Sequence, residues 1–257
     1  MMEFIDTHSH IYDEAFDEDR AEAVTRAAAE GVRTLIMPGI SSSVYGRMLE
    51  CADAYPATAF PCTGLHPTDV AGNWKEEMDF VRKHLHDRKF LAIGEIGLDF
   101  YWSDEFAAEQ RRVFAEQLEI AAAEGLPVLI HSRNATDAVF EVFEDVRGIE
   151  LKGIFHAFSG SYETYRRCLT YGDFRFGIGG VCTYKNAGIA EVLCRMSMQD
   201  IVLETDCPWL TPVPHRGKRN ESSYVRIIAD KIAELTDLPV ETVAAMTTTN
   251  ARGLFGL

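Results

Sequence analysis

Seven imidazole and carboxylate side chains recur along this chain, each beside a short apolar run. His8 and His10 stand in FIDTHSH, His66 in TGLHP, Glu95 in LAIGEIGLDF, His131 in LPVLIHSR, His156 in GIFHAFSG and Asp206 in IVLETDCPW. Nitrogen and oxygen donors without thiolate suit zinc, manganese, cobalt or magnesium rather than an iron–sulfur cluster or Cu(I). His8 and His10 lie two residues apart, so on an extended chain they face the same way and can grip one ion. The six candidate ligands His8, His10, Glu95, His131, His156 and Asp206 are too many for one open catalytic ion. The set therefore predicts two divalent ions, of Mg, Mn or Zn type, with Glu95 shared between them. Two ions about 3.5–4 Å apart can stabilise the attacking and leaving oxygens of a phosphate displacement, and they lower the pKa of bound water toward ~7. Asp206 is the candidate to orient or deprotonate that water. Glu204, on the same side of its strand, is a support for the ligands or an alternative base.

Groups this far apart in sequence converge only if the chain returns to one place many times. Eight short apolar segments predict strands near residues 3–8, 33–38, 59–64, 90–95, 126–131, 151–156, 174–178 and 200–205. Most are apolar on both faces, as in parallel strands covered on each side. Helical patterns fall between them at 18–30, 43–54, 75–86, 104–124, 135–145, 162–170, 187–195 and 220–235. The clearest, 104–124, carries Phe106, Val113, Phe114 and Leu118 on one stripe, with Ser103 as N-cap and Gly125 closing it. The tail 239–257 reads as one or two short helices. This alternation predicts an α/β fold, a (β/α)8 TIM barrel in a single domain over residues 1–257. Such a barrel gathers catalytic groups from the C-terminal ends of its strands onto one face.

The net charge of −15 taken alone argues against a nucleic-acid binder, which usually shows a basic footprint. A phosphate-bearing substrate then needs a local basic patch or the metal ions, whose combined charge outweighs Glu95 and Asp206. None of the six cysteines forms a CxxC pair, and they read as free, mostly buried thiols. Cys207 neighbours Asp206, but adjacent side chains on a strand point to opposite faces. No apolar stretch approaches the roughly 20 residues that span a bilayer, and the N-terminal MMEFIDTHSH does not read as a signal peptide. The expectation is a cytoplasmic monomer with no membrane contact.

On the substrate side, His66 is a candidate phosphate contact or acid. Arg133 follows His131 by two residues, and Arg216, Lys218 and Arg219 cluster in the loop Pro208–Asn220 after the last strand. Either could hold phosphate. Phe100, Tyr101, Trp102 and Trp209 could stack on unpaired bases or simply pack their loops. His84 and His86 read as surface residues. No dinucleotide fingerprint, Walker motif or GxSxG elbow occurs in the required context. No lysine ends the fourth or fifth strand, which disfavours a carboxylated-lysine centre.

In order along the chain, HSH, GLHP, GEIGLDF, HSR, HAFSG, ETDCPWLTP, PHRGKRNE and TTNARGLF resemble the TatD family of metal-dependent deoxyribonucleases. The resemblance covers the whole chain and implies a (β/α)8 barrel that hydrolyses DNA phosphodiesters. It places His8, His10, Glu95 and Asp206 around one ion and Glu95, His131 and His156 around the other. It puts His66 at the substrate phosphate or scissile bond. Two positions depart from the family pattern: Ser222 follows Glu221 where a proline is frequent, and Asn134 follows HSR where an acidic residue is common. The expected activity is a DNA exonuclease acting on exposed or single-stranded ends. The rivals are a hydrolase of a small amide, lactone or phosphate ester on the same scaffold, and a non-catalytic protein that keeps metal for stability.

Overall fold

The computed structural model describes residues 2–257. Eight parallel strands form its centre: β1 (Phe4–Asp6), β2 (Val32–Met37), β3 (Ala59–Pro61), β4 (Ile93–Asp99), β5 (Val128–Arg133), β6 (Leu151–Phe155), β7 (Gly172–Ile178) and β8 (Ile201–Leu203). They pair in sequence order within two arcs, β1 to β3 and β4 to β8. The bridges Thr63–Ile93 and Ser9–Cys207 join the arcs and close a TIM barrel. The outer layer is α1 (Arg20–Ala29), α2 (Ser42–Ala54), α3 (Trp74–His84), α4 (Ala107–Glu124), α5 (Thr136–Asp145), α6 (Tyr162–Cys168), α7 (Ile189–Leu193) and α8 (Val225–Thr236). The chain ends with α9 (Val240–Phe255).

Two apolar layers hold this arrangement. The larger lies between strands and helices and contains the aromatic cluster of Phe143, Phe155, Phe174 and Phe176. The smaller packs Ile5, Ile36, Cys62, Ala92, Leu129, Ile154 and Val202 together, residues drawn from seven positions around the barrel. Ala251, Leu254 and Phe255 of α9 join this inner layer, so the last helix supplies part of the barrel core.

The strands are shorter than their apolar runs predict at β1, β3 and β8. Past Asp6 the backbone leaves the ladder with β2: the Thr7 N–H donates to Leu203 O, the Ser9 N–H to Ile36 O and the His10 N–H to Cys207 O. His8 and His10 therefore ride on a segment held from both sides. The tail forms one 16-residue helix rather than one or two short ones. The helix α8 starts at Val225, after a single 3-10 turn at Ser222–Tyr224, later than the pattern from residue 220 suggests.

Candidate metal centre

Alternation along the strands converts the inner apolar layer into a polar one. Two residues beyond the core side chains Leu129, Ile154 and Val202 come His131, His156 and Glu204. Glu95 sits within β4 and is only 3% exposed. Glycines make the space. At Gly97, φ is +137° and a Cβ would lie 2.0 Å from the His131 carbonyl oxygen. At Gly177, a Cβ would lie 1.8 Å from Glu204 Oε2. Two non-glycine residues at the centre adopt left-handed backbone, Ala157 (φ 45°) and Asp206 (φ 57°). Such strain gathers at sites that the surrounding structure over-determines.

The two oxygens of Glu95 face different partners. His8 Nε2 lies 3.0 Å from Oε2, and His10 Nε2 lies 3.2 Å from His8 Nε2 and 3.8 Å from the same Oε2. Asp206 Oδ1 completes this group at 3.7 Å from His8 and 3.5 Å from His10. On the other side, His131 Nδ1 is 2.9 Å, His156 Nε2 3.0 Å and His66 Nε2 3.3 Å from Oε1.

Neighbouring groups fix which nitrogens carry protons. The Tyr12 hydroxyl donates to Pro38 O at 2.6 Å and accepts from His10 Nδ1 at 3.0 Å, leaving the lone pair of His10 on Nε2. His131 donates from Nε2 to Asp99 Oδ2 at 2.8 Å, which turns the lone pair of Nδ1 toward Glu95. An unprotonated nitrogen facing a carboxylate oxygen at 2.9 Å requires a proton or a cation between them. These residues thus fit divalent metal. His66 differs: its Nδ1 accepts the Thr68 N–H at 3.2 Å, so its proton sits on Nε2. It meets Glu95 as a donor.

Charges in this cluster push one another. Burial would raise the Glu95 carboxyl, but His156, His8 and His66 overcome it and hold it well below the usual carboxylate range. Burial would lower His156, yet Glu95 and Glu204 raise it well above an ordinary histidine. His8 is lowered, first by burial and then by His156, whose ring stacks on it at 3.8 Å. Burial opposes ionisation of Asp206, and the bond to His10 with the charges of His156 and His8 brings it below the usual range.

The sequence pattern of the TatD related DNase family matches residues 5–256. The chain belongs to the TatD-related DNase family. This TatD-related protein is 37% identical over 251 residues to the uncharacterized metal-dependent hydrolase YabD of Bacillus subtilis, covering 97% of this chain and 98% of that one. Its identity to the uncharacterized metal-dependent hydrolase YcfH of Escherichia coli is 29%, over 99% of this chain and 96% of that one. The crystal structure of YjjV, a TatD homolog from Escherichia coli, matches with a TM-score of 0.90 at 28% identity, covering 99% of this chain and 98% of that one. The protein is a TatD-family metal-dependent hydrolase.

The other expected residues of the TatD-related chain fall in distinct places. Glu204, weighed as an alternative base, is fully buried and sits behind His156 with Oε1 at 3.4 Å from Nδ1. It accepts the Ala157 N–H at 2.6 Å and braces His156 from behind. Asp206 is the accessible acid, its side chain 14% exposed. Arg133, Arg216 and Lys218 are exposed at or beyond the strand ends. Arg219 is engaged within the protein: its guanidinium bonds Asp19 twice, at 2.6 and 2.8 Å, donates to Ala15 O and lies over Phe16. His86 is exposed and His84 pairs with Asp87. Cys207 is buried with its Sγ 3.2 Å from Ser9 Oγ, and burial pushes its thiol up to about 12, which removes a nucleophilic role.

Sequence reasoning missed Tyr12, Asp99 and Asp6. Asp6 accepts the Thr205 N–H at 2.9 Å and its hydroxyl at 2.6 Å, tying β1 to the loop that carries Asp206. The two departures from the family pattern have local accounts. Ser222 Oγ lies 3.0 Å from Ser9 Oγ, bracing the turn between His8 and His10. Asn134 has φ 53°, a conformation asparagine tolerates better than most residues.

Proposed function

We propose that this hydrolase cuts DNA phosphodiester bonds, as an exonuclease at exposed or single-stranded ends, with two divalent ions sharing Glu95. The observation that carries the reading is the division of Glu95: Oε2 faces His8 at 3.0 Å while Oε1 faces His131 at 2.9 Å and His156 at 3.0 Å. Ions bound there would supply Lewis acidity and an activated water. The chain's own groups do the rest. Asp206, the accessible carboxylate, would take up the proton released on the His8 and His10 side. His66, a donor through Nε2, contacts the phosphate or protonates the leaving oxygen. Arg133, Arg216 and Lys218 form no ion pair among the described residues and are available to flanking phosphates. A centre sunk among strand ends, with Glu95 3% exposed, suits a strand end better than an intact duplex. Five of the six thiols are buried and none is paired, in keeping with a reducing cytoplasm.

The test is metal add-back. Chelated protein is mixed with end-labelled single-stranded and duplex DNA, and Mg2+, Mn2+ or Zn2+ is restored. Shortening from the ends that needs metal, and falls at least about 100-fold in Glu95→Ala and Asp206→Ala, supports the proposal. Failure to cut under any metal, with metal bound, favours a second reading. That reading is a hydrolase of a small amide, lactone or phosphate ester. It draws on a recess of about 110 Å³ beside His156, lined by Ser132, Thr136, Phe140, Phe158 and Ser159 among others.

A further inference from the structure

The large apolar side chains exposed among the described residues are Tyr101, Trp102, Trp209, Leu210, Val213 and Leu257. All but Leu257 sit on the two loops that follow β4 and β8, beyond Glu95 and Asp206. Trp102 is 70% exposed, and Tyr101 and Trp209 are each 51% exposed. Concentration on one rim is unusual for side chains that water disfavours, and marks a contact surface.

Both aromatic groups are fastened to the metal centre. Asp99 Oδ1 accepts the N–H of Tyr101 at 2.9 Å and of Trp102 at 3.3 Å, while the other oxygen of Asp99 receives His131. The Trp209 backbone N–H donates to Asp206 O at 2.9 Å, and its carbonyl accepts from Asn220 Nδ2 at 2.6 Å. Its ring meets His10 edge-on, with centroids 5.0 Å apart. Cations are interleaved with the rings. The Arg133 guanidinium lies 3.8 Å over Tyr101 and 5.3 Å from Trp102, and Arg216 lies 4.2 Å over Tyr184. Phe100, by contrast, packs against the core.

We infer that Trp102 with Tyr101 and Arg133 on one side, and Trp209 on the other, form a stacking platform for unpaired bases of a single-stranded polynucleotide led to the metal centre. The inference rests on the DNA reading above and adds how the strand is held. Aromatic faces accept any base but only when it is unpaired, and flanking cations take the phosphates. Cations among the rings of a chain of net charge −15 fit a polyanion better than an apolar protein surface. Recognition is then blind to sequence and selective against duplex.

The experiment compares a base-bearing 12-nucleotide strand with an abasic strand of equal length and charge. Affinity is measured by fluorescence polarisation on phosphorothioate-linked strands with metal-loaded full chain, and kcat/KM on ordinary strands. One stacked base contributes about 1–3 kcal/mol, which corresponds to about 5- to 150-fold. The expected result is a preference of that size for the base-bearing strand, similar for all four bases. It falls toward unity in Trp102→Ala and Trp209→Ala and is largely kept in Trp102→Phe. Cleavage without any preference for bases, or a preference unchanged in both alanine variants, overturns the platform and leaves the nuclease standing. Neither binding nor cleavage of either strand overturns both.

Discussion

Asp99 decides which way His131 faces. The proton it draws to Nε2 leaves Nδ1 bare toward Glu95. Partners of this kind typically shift metal affinity 10–100-fold. Asp99→Ala should weaken binding at the His131 side of Glu95 by about that factor in calorimetric titration of chelated protein. Unchanged affinity would deny the orienting role. His66 differs from the candidate ligands by the same logic, because the Thr68 N–H occupies its Nδ1. His66→Ala should therefore lower kcat/KM by about 100-fold or more while bound metal stays constant. Loss of an ion from that variant would make His66 a ligand. The candidate ligands were legible because histidines and acids in or just after apolar runs are conspicuous. Asp99 was not, because an acid four residues past Glu95 resembles a loop residue. Only the pairing of Gly97 with His131 and Asp99 with Arg133 along β4 and β5 brings it under the imidazole.

Elements meet at glycine where the site needs depth. Gly177 on β7 leaves the space that the carboxyl of Glu204 occupies from the β8 side. Gly177→Ala should cost about 1–3 kcal/mol by overpacking, and pairing it with Glu204→Ala should cost less than the sum of the singles. Additive costs would show that the two side chains do not share that space. A second junction ties α1 to the segment before α8: Arg26 bonds Glu221 and Asp19, and Arg219 bonds Asp19. Burial would raise Glu221, but Arg26 overcomes it and holds it below the usual range, and bonds from Arg219 and Arg26 lower Asp19. Carboxylates depressed in the folded state contribute stability above their unfolded pKa, near about pH 4.5, and lose it as pH falls through the folded values. Arg26→Ala should lower Tm by about 3–8 °C at pH 7, and its gap to wild type should narrow as pH drops below about 4. A gap independent of pH would assign the loss to packing alone. The strand–helix order was legible from apolar runs. The continuity of α9 was not, since TTTN is a weak helix former. Its threonine hydroxyls donate back to carbonyls, Thr247 to Val243 and Thr249 to Ala245, while burial of Leu254 and Phe255 in the inner layer holds the helix.

The molecule as a whole carries −15, yet Arg133, Arg216 and Lys218, which form no ion pair among the described residues, stand exposed at or beyond the strand ends. If these three meet phosphates, log affinity for single-stranded DNA should fall with log salt at a slope of about −2. A flat dependence would remove them from the binding surface. The same architecture separates stability from chemistry, with the apolar layer of Ile5, Leu129, Ile154 and Val202 backed by α9 and the polar layer beyond it. Everything proposed for that polar layer depends on Glu95 bridging two ions. The most direct measurement is a crystal structure of metal-loaded protein with anomalous scattering at the edge of the bound metal. The account predicts two peaks about 3.5–4 Å apart, one between His8, His10 and Asp206 and one between His131 and His156, each reached by its own oxygen of Glu95. A single peak at full occupancy, or two peaks with Glu95 bound to only one of them, would contradict it.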